Sequence, residues 1–179
     1  MNNYNKNLEK NNANYVALSP ITFLERTKDV YPDYEAVVYG SRKYTWLDIY
    51  KRATKFASAL EKIGVGIGDT VSIMACNTPE LFEAHYSIPM TGAVINAINT
   101  RLDSKTVAYI LEHSDAKVLI ADRQFHKIIK KALESVKRKI IIIDIDDKQA
   151  NLKDQGEMGD HEYEYFLKTG DENYQWKKP

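Results

Sequence analysis

The groups best suited to chemistry in this 179-residue chain are one cysteine, four histidines, a polar stretch interrupting an apolar strand, and one basic run. Cys76 closes the apolar run "DTVSIMAC". That places it at a strand's carboxyl end, where open parallel sheets bind ligands, but a lone cysteine in such a run ordinarily packs. His85, His113, His126 and His161 show neither ligand spacing nor cysteine partners, so no metal site is expected. "GVGIGD", Gly64 to Asp69, carries the glycines of a phosphate loop in the wrong order. It leaves a helix and enters a strand, and so reads as a tight turn. The chain contains no Walker sequence and no nucleophile elbow.

Two features remain. In "PMTGAVINAINTRLD", Asn96 and Asn99 sit where a buried strand is expected, and Arg101 follows. Asn99 and Arg101 lie past the strand's carboxyl end, where polar side chains can face a crevice. Asn99 can equally serve a turn by bonding nearby backbone, and Arg101 can stand in solvent. The basic run Arg123, His126, Lys127, Lys130 and Lys131 surrounds one helix. It reads either as a solvated helix face or as a surface that grips phosphates.

These residues need elements to hold them. Ser19 and Pro20 open a short helix that Pro32 closes, and "AVVYG" and "RKYTW" form a hairpin around Gly40 and Ser41. Thr45 and Asp48 have capping-box spacing before a helix whose stripe runs through Ile49, Ala53, Phe56, Ala57 and Leu60 to Gly64. From Asp69 the pattern alternates: strand to Cys76, helix capped by Thr78 and stopped or kinked at Pro89, strand "AVINAI", helix from Asp103 or Ser104, strand "AKVLIAD", helix "RQFHKIIKKALESVKRK", strand "IIIID". Strands and helices in strict alternation predict an α/β fold: a mostly parallel, doubly wound sheet with helices on both faces. Three regions follow: an Asn-rich flexible leader over residues 1–17, an α/β unit over 18–144, and a polar connecting segment over 145–179 with one short helix near Glu162 to Lys168.

Composition excludes several functions. Lysines plus arginines and aspartates plus glutamates each total 25, which argues against a nucleic-acid binder. A single cysteine forbids an internal disulfide and fits a reducing, cytoplasmic location. The longest aliphatic run, Ile140 to Ile143, falls far short of the ~20 residues that span a bilayer.

Three segments together resemble the adenylate-forming, AMP-binding acyl-activating enzymes. "KYTWLDIY" is similar to the family's first core motif, and "GDTVSIMACNTPELFEAHYSIPMTGAVINAINTRLD" to its second, including the Asn-x-Pro-Glu turn and the Gly-Ala pair. "AYILEHSDAKVLIAD" is similar to the helix–strand unit that follows. The resemblance runs from about Leu18 to Pro179, and the "NTRLD" ending is similar to the branch acting on short and medium-chain acids.

The resemblance implies an acyl-CoA synthetase of fatty acid metabolism that uses ATP, Mg²⁺ and CoA and works through an acyl-adenylate. Its Pro-Lys-Gly phosphate loop, nucleotide-binding aspartate, hinge and C-terminal lysine do not occur here. The chain therefore looks like the first third of such an enzyme: no catalytic residue or metal ligand is expected in it, and no cofactor is expected to bind it tightly. The family's basic segment near the CoA phosphate corresponds to Arg123, Lys127 and Lys130, and Asn99 and Arg101 become crevice supports. The expected partners are a carboxylic acid, ATP and CoA, with a homo-oligomer also possible. A free-standing, non-catalytic domain that binds CoA or a partner protein is the alternative.

Overall fold

The computed structural model describes residues 7, 9–11, 13–16 and 18–176. Most of the leader read from the sequence, residues 1–6, 8, 12 and 17, lies outside the described residues.

Helix α1 (Pro20–Val30) starts as expected, with the Ser19 side chain accepting from the Ile21 amide. Strands β1 (Glu35–Tyr39) and β2 (Arg42–Thr45) form the antiparallel hairpin, turned at Gly40 with φ +58°. Helix α2 (Trp46–Lys62) carries the complete Thr45–Asp48 capping box. Then follow β3 (Thr70–Met74), α3 (Pro79–Met90), β4 (Val94–Ala97), α4 (Ser104–His113), β5 (Ala116–Asp122), α5 (His126–Leu133), β6 (Ile141–Ile145), β7 (His161–Glu162) and α6 (Tyr163–Lys168).

Strands β3 to β7 form one parallel sheet in the order β4-β3-β5-β6-β7. Alternating side chains split between two layers, as a pleated strand requires. Val71, Ile73, Val118, Ile120, Ile143 and Ile145 meet α2, α3 and α6 on one face. Met74, Leu119 and Ala121 meet α4 and α5 on the other. The α/β architecture read from the sequence is thus the observed one. A third cluster lies on the far side of α2, where α1, the hairpin and Trp176 pack against Ile49, Ala53 and Met90.

Three local details depart from the sequence reading. Thr78 makes no side-chain cap bond, and its hydroxyl is buried without a hydrogen-bond partner. Pro89 stays inside α3, one residue before its end, so the helix stops at Met90 directly after it. The helix expected from Arg123 to Lys139 is shorter. Asp122 accepts from the Gln124 amide and makes Arg123–Phe125 a 3-10 turn, and α5 ends at Leu133. Beyond that point Lys137, Arg138 and Lys139 are exposed and supply no apolar stripe.

The segment after Asp144 does more than connect. β7 pairs with β6, and Tyr163, Phe166 and Leu167 of α6 are buried in the first core layer. The Phe56 and Tyr163 rings stack at 4.4 Å. Gly170 then runs so close to α2 that a Cβ there would lie 1.8 Å from the Lys55 carbonyl oxygen.

A polar clamp fixes α6 to the helices beneath it. Arg52 on α2 reaches Glu83 on α3 at 2.5 Å and Glu164 on α6 at 2.5 Å, and the Tyr163 hydroxyl donates to Glu83 at 3.0 Å. Glu83 is fully buried. That burial pushes its carboxyl up to about 7, even though Arg52 and Tyr163 favour the charged form; Glu80 adds to the rise. A carboxyl raised on folding binds more protons in the native than in the unfolded state between its two pKa values. Its contribution is full below the unfolded value and is lost as pH rises toward about 7. The Glu83→Gln variant should therefore lose a downward slope of up to ~1.4 kcal/mol per pH unit across that window, read from urea unfolding at stepped pH.

Candidate functional site

The chain leaves β3 toward β4 and returns to β5 on β3's other side. That reversal opens a crevice at the carboxyl ends of β3 and β5, the usual ligand position in open parallel sheets. Cys76 stands at this point, half-buried, with the Gln124 amide nitrogen 3.4 Å from its sulfur. Burial and the nearby Asp122 push the thiol up, so it is not poised as a thiolate.

Carboxylates dominate this edge. Asp122, Asp144 and Asp147 sit at or just past the ends of apolar strands, and Glu80 lies in the first turn of α3; all four are buried. Asp122 accepts from the backbone and side-chain nitrogens of Gln124, at 3.0 and 2.8 Å. Burial still pushes its carboxyl up, with Asp147 and Glu80 adding to the effect. The Tyr39 hydroxyl donates to Asp147 at 2.5 Å, and that bond raises the phenol to about 12. Arg42 lies 2.5 Å from Glu80 and 3.9 Å from Asp147. The hairpin is thus tied to α3 and to the end of β6 through Arg42 and Tyr39. One oxygen each of Glu80 and Asp144 is buried without a hydrogen-bond partner. This arrangement repels phosphate. Among the described residues no group of three or more His, Cys, Asp and Glu side chains could hold a metal ion.

The residues singled out in the sequence fall in three places. Arg123 is 15% exposed and lies 3.4 Å from each of Asp144, Asp146 and Glu157, so its charge is matched within the chain. Lys127 and Lys130 are exposed on α5, and Lys127 pairs with Asp154 at 2.5 Å. Asn99 accepts from the Arg101 amide at 2.9 Å, the local turn bond open to an asparagine. Arg101 is exposed and meets Lys127 and Lys131 around a shallow depression of about 470 Å³, floored by Leu102 and Ile128. The structure thus brings Arg101 and Lys127 together, while Lys130 does not line that depression and Arg123 borders a separate one with Arg42 and Asp146. The other puzzling asparagine, Asn96, donates to the Ser72 hydroxyl at 3.1 Å across the β3–β4 pair. Sequence reasoning missed the buried acids of the carboxyl edge. Their signal was there to read, in aspartates that close the runs "VLIAD" and "IIIDIDD".

Comparison with known proteins assigns the family. The model of the AMP-binding enzymes matches residues 24–173. The chain therefore belongs to the AMP-binding enzyme family. Among its relatives, an acetate–CoA ligase from Humulus lupulus is 41% identical over 182 residues, covering 96% of this chain and 32% of that protein. A peroxisomal acetate/butyrate–CoA ligase from Arabidopsis thaliana is 42% identical with the same coverage. The chain thus spans about a third of the length of these relatives. In fold it is similar to an anthranilate–CoA ligase solved with anthranoyl-AMP, with a TM-score of 0.79 at 21% identity, over 88% of this chain and 29% of that one. A benzoate–CoA ligase from Burkholderia xenovorans gives 0.72 at 22% identity, over 86% and 29%. No helix among the described residues is long and apolar enough to cross a membrane.

The two kinds of basic residue should separate in stability. Arg123→Met leaves Asp144, 3% exposed, without its counter-charge and should cost about 3–5 kcal/mol. Lys127→Ala and Lys130→Ala should each stay within about 0.5 kcal/mol of the parent in the same urea titration.

Proposed function

We propose that this chain is the N-terminal part of an ATP-dependent acyl-CoA synthetase that activates a short or medium-chain carboxylic acid. The acid and ATP form an acyl-adenylate with release of pyrophosphate, and the CoA thiol then attacks to give acyl-CoA and AMP. The carrying observation is the alignment of 96% of this chain with ligases named for acetate and butyrate. The reading includes fatty acid metabolism and a reducing compartment, the cytoplasm.

On this reading the chain by itself does not form acyl-adenylate. Transfer to and from a phosphoryl group requires fixed donors, Mg²⁺ and a lysine around the reacting oxygens. The carboxyl edge of this sheet presents buried acids instead. ATP–pyrophosphate exchange, measured with straight-chain acids from acetate to decanoate, should stay at background for the purified chain. A fusion should restore it, with this chain replacing the aligned first third of the Humulus lupulus acetate–CoA ligase. Clear exchange by the 179-residue chain alone overturns the statement.

A second reading has its own support. Arg101, Lys127 and Lys131 converge on one depression, beside Asp103 and with Lys127 also paired to Asp154, a set of donors that the phosphates of CoA could engage. Arg123 and Lys130, the other basic residues in question, lie outside that depression, and Asn99 shapes the turn that carries Arg101. CoA titrated into the labelled chain should shift the amides of Arg101, Lys127 and Lys131. Unmoved amides at these positions and at Arg123 and Lys130 remove the idea of a CoA-binding domain.

A further inference from the structure

Among the described residues, β1 pairs with β2 alone; the third cluster covers Ala36, Val37 and Tyr44 of the hairpin, and the outer edge of β1 carries no further strand. The open edge of β1 borders a groove of about 460 Å³ walled by Ala36, Val38, Pro79, Leu81 and Phe82. Val38 is 58% exposed. Tyr31 and Tyr34, in the turn that leads into β1, are exposed as well and lie edge to face at 5.4 Å. An apolar wall beside unpaired backbone groups is the geometry that accepts an added strand.

We propose that this edge docks an extended, apolar segment of the polypeptide that fills the remaining two thirds of the relatives' length, added to β1 as a third strand. The proposal rests on the reading that the chain is the first part of a longer ligase. Two observations identify the occupant. Each of the two relatives described above is covered to only 32% by this chain, so most of such a protein lies beyond it. The last described residue, Trp176, is buried in the third cluster, against which Ala36, Val37 and Phe82 also pack. Its indole nitrogen donates to the Tyr50 hydroxyl at 3.2 Å. The following polypeptide therefore starts on the groove's own side of the α2–α3 layer. The bulge between Glu35 and Val37 leaves a regular edge of only Val37 to Tyr39. Such a short edge suits one strand and offers a second copy far less than the ~1,200 Å² of a stable interface. The occupant's side chains should be apolar at every second position, facing Leu81 and Phe82.

Amide hydrogen exchange tests this in the isolated chain and in the fusion with the Humulus lupulus ligase. Amides of Val37 to Tyr39 that face the open edge should exchange freely in the isolated chain and at least ~100-fold more slowly in the fusion. Val38→Glu should leave the melting temperature of the isolated chain unchanged and lower that of the fusion. Equal exchange in both proteins, in a fusion that forms acyl-adenylate, overturns the docking while the functional reading stands. Protected amides in a fusion that forms none support the docking and overturn the functional reading. Protection in the isolated chain that grows with its concentration makes a second copy the occupant and overturns the proposal. So does a large loss of stability from Val38→Glu in the isolated chain, a result that needs no fusion.

Discussion

Arg52 and Glu83 hold this structure where three helices on one face of the sheet, α2, α3 and α6, meet. The carboxyl is wholly removed from water, and the guanidinium 2.5 Å away reaches α6 as well through Glu164. Neither charge is tolerable there without the other, since an uncompensated buried charge costs several kcal/mol. The pair therefore specifies how α2, α3 and α6 sit together more than it adds net stability. The edge strand β7 leads directly into α6, and the path to Trp176 leads out of it. Both depend on α6 being seated by this clamp.

The same logic of buried charge governs the carboxyl edge of the sheet. Strand ends there place Asp122, Asp144 and Asp147 side by side, with Glu80 entering from α3. Arg42, Tyr39 and Arg123 answer them, each from a different element. The result is a set of cross-links between hairpin, helix and sheet. The arginines of this edge are thereby committed to its acids. On α5 and at the turn after β4 the basic residues are exposed instead: Arg101 and Lys127 meet there, and Lys127 pairs with the exposed Asp154.

Much of the fold was legible in the residues. The capping box at Thr45, the start of α1 at Ser19 and the alternation from Asp69 to Asp144 are local patterns, and local energetics decide them. Asn99 was legible as a turn residue for the same reason. Asn96 was not, because its partner Ser72 lies on a neighbouring strand and is set by sheet register. The reach of the core past Asp144 was hidden as well. "HEYEYFLKTG" is too short and polar to advertise burial, yet Tyr163, Phe166 and Leu167 each find a place against Phe56 and the sheet.

The amino-acid sequence by itself thus determined most of the helices and strands and the parallel doubly wound sheet, which follow from periodicity, and its motifs carried the resemblance to the family. Only the tertiary structure decided which charges are committed and which are available. Arg123 and Lys127 are four residues apart and look alike in the sequence. One is enclosed by three carboxylates from β6 and the segment after it, and the other stands in solvent with Asp154. Partners that distant in the chain are brought together by packing, and no local pattern encodes them.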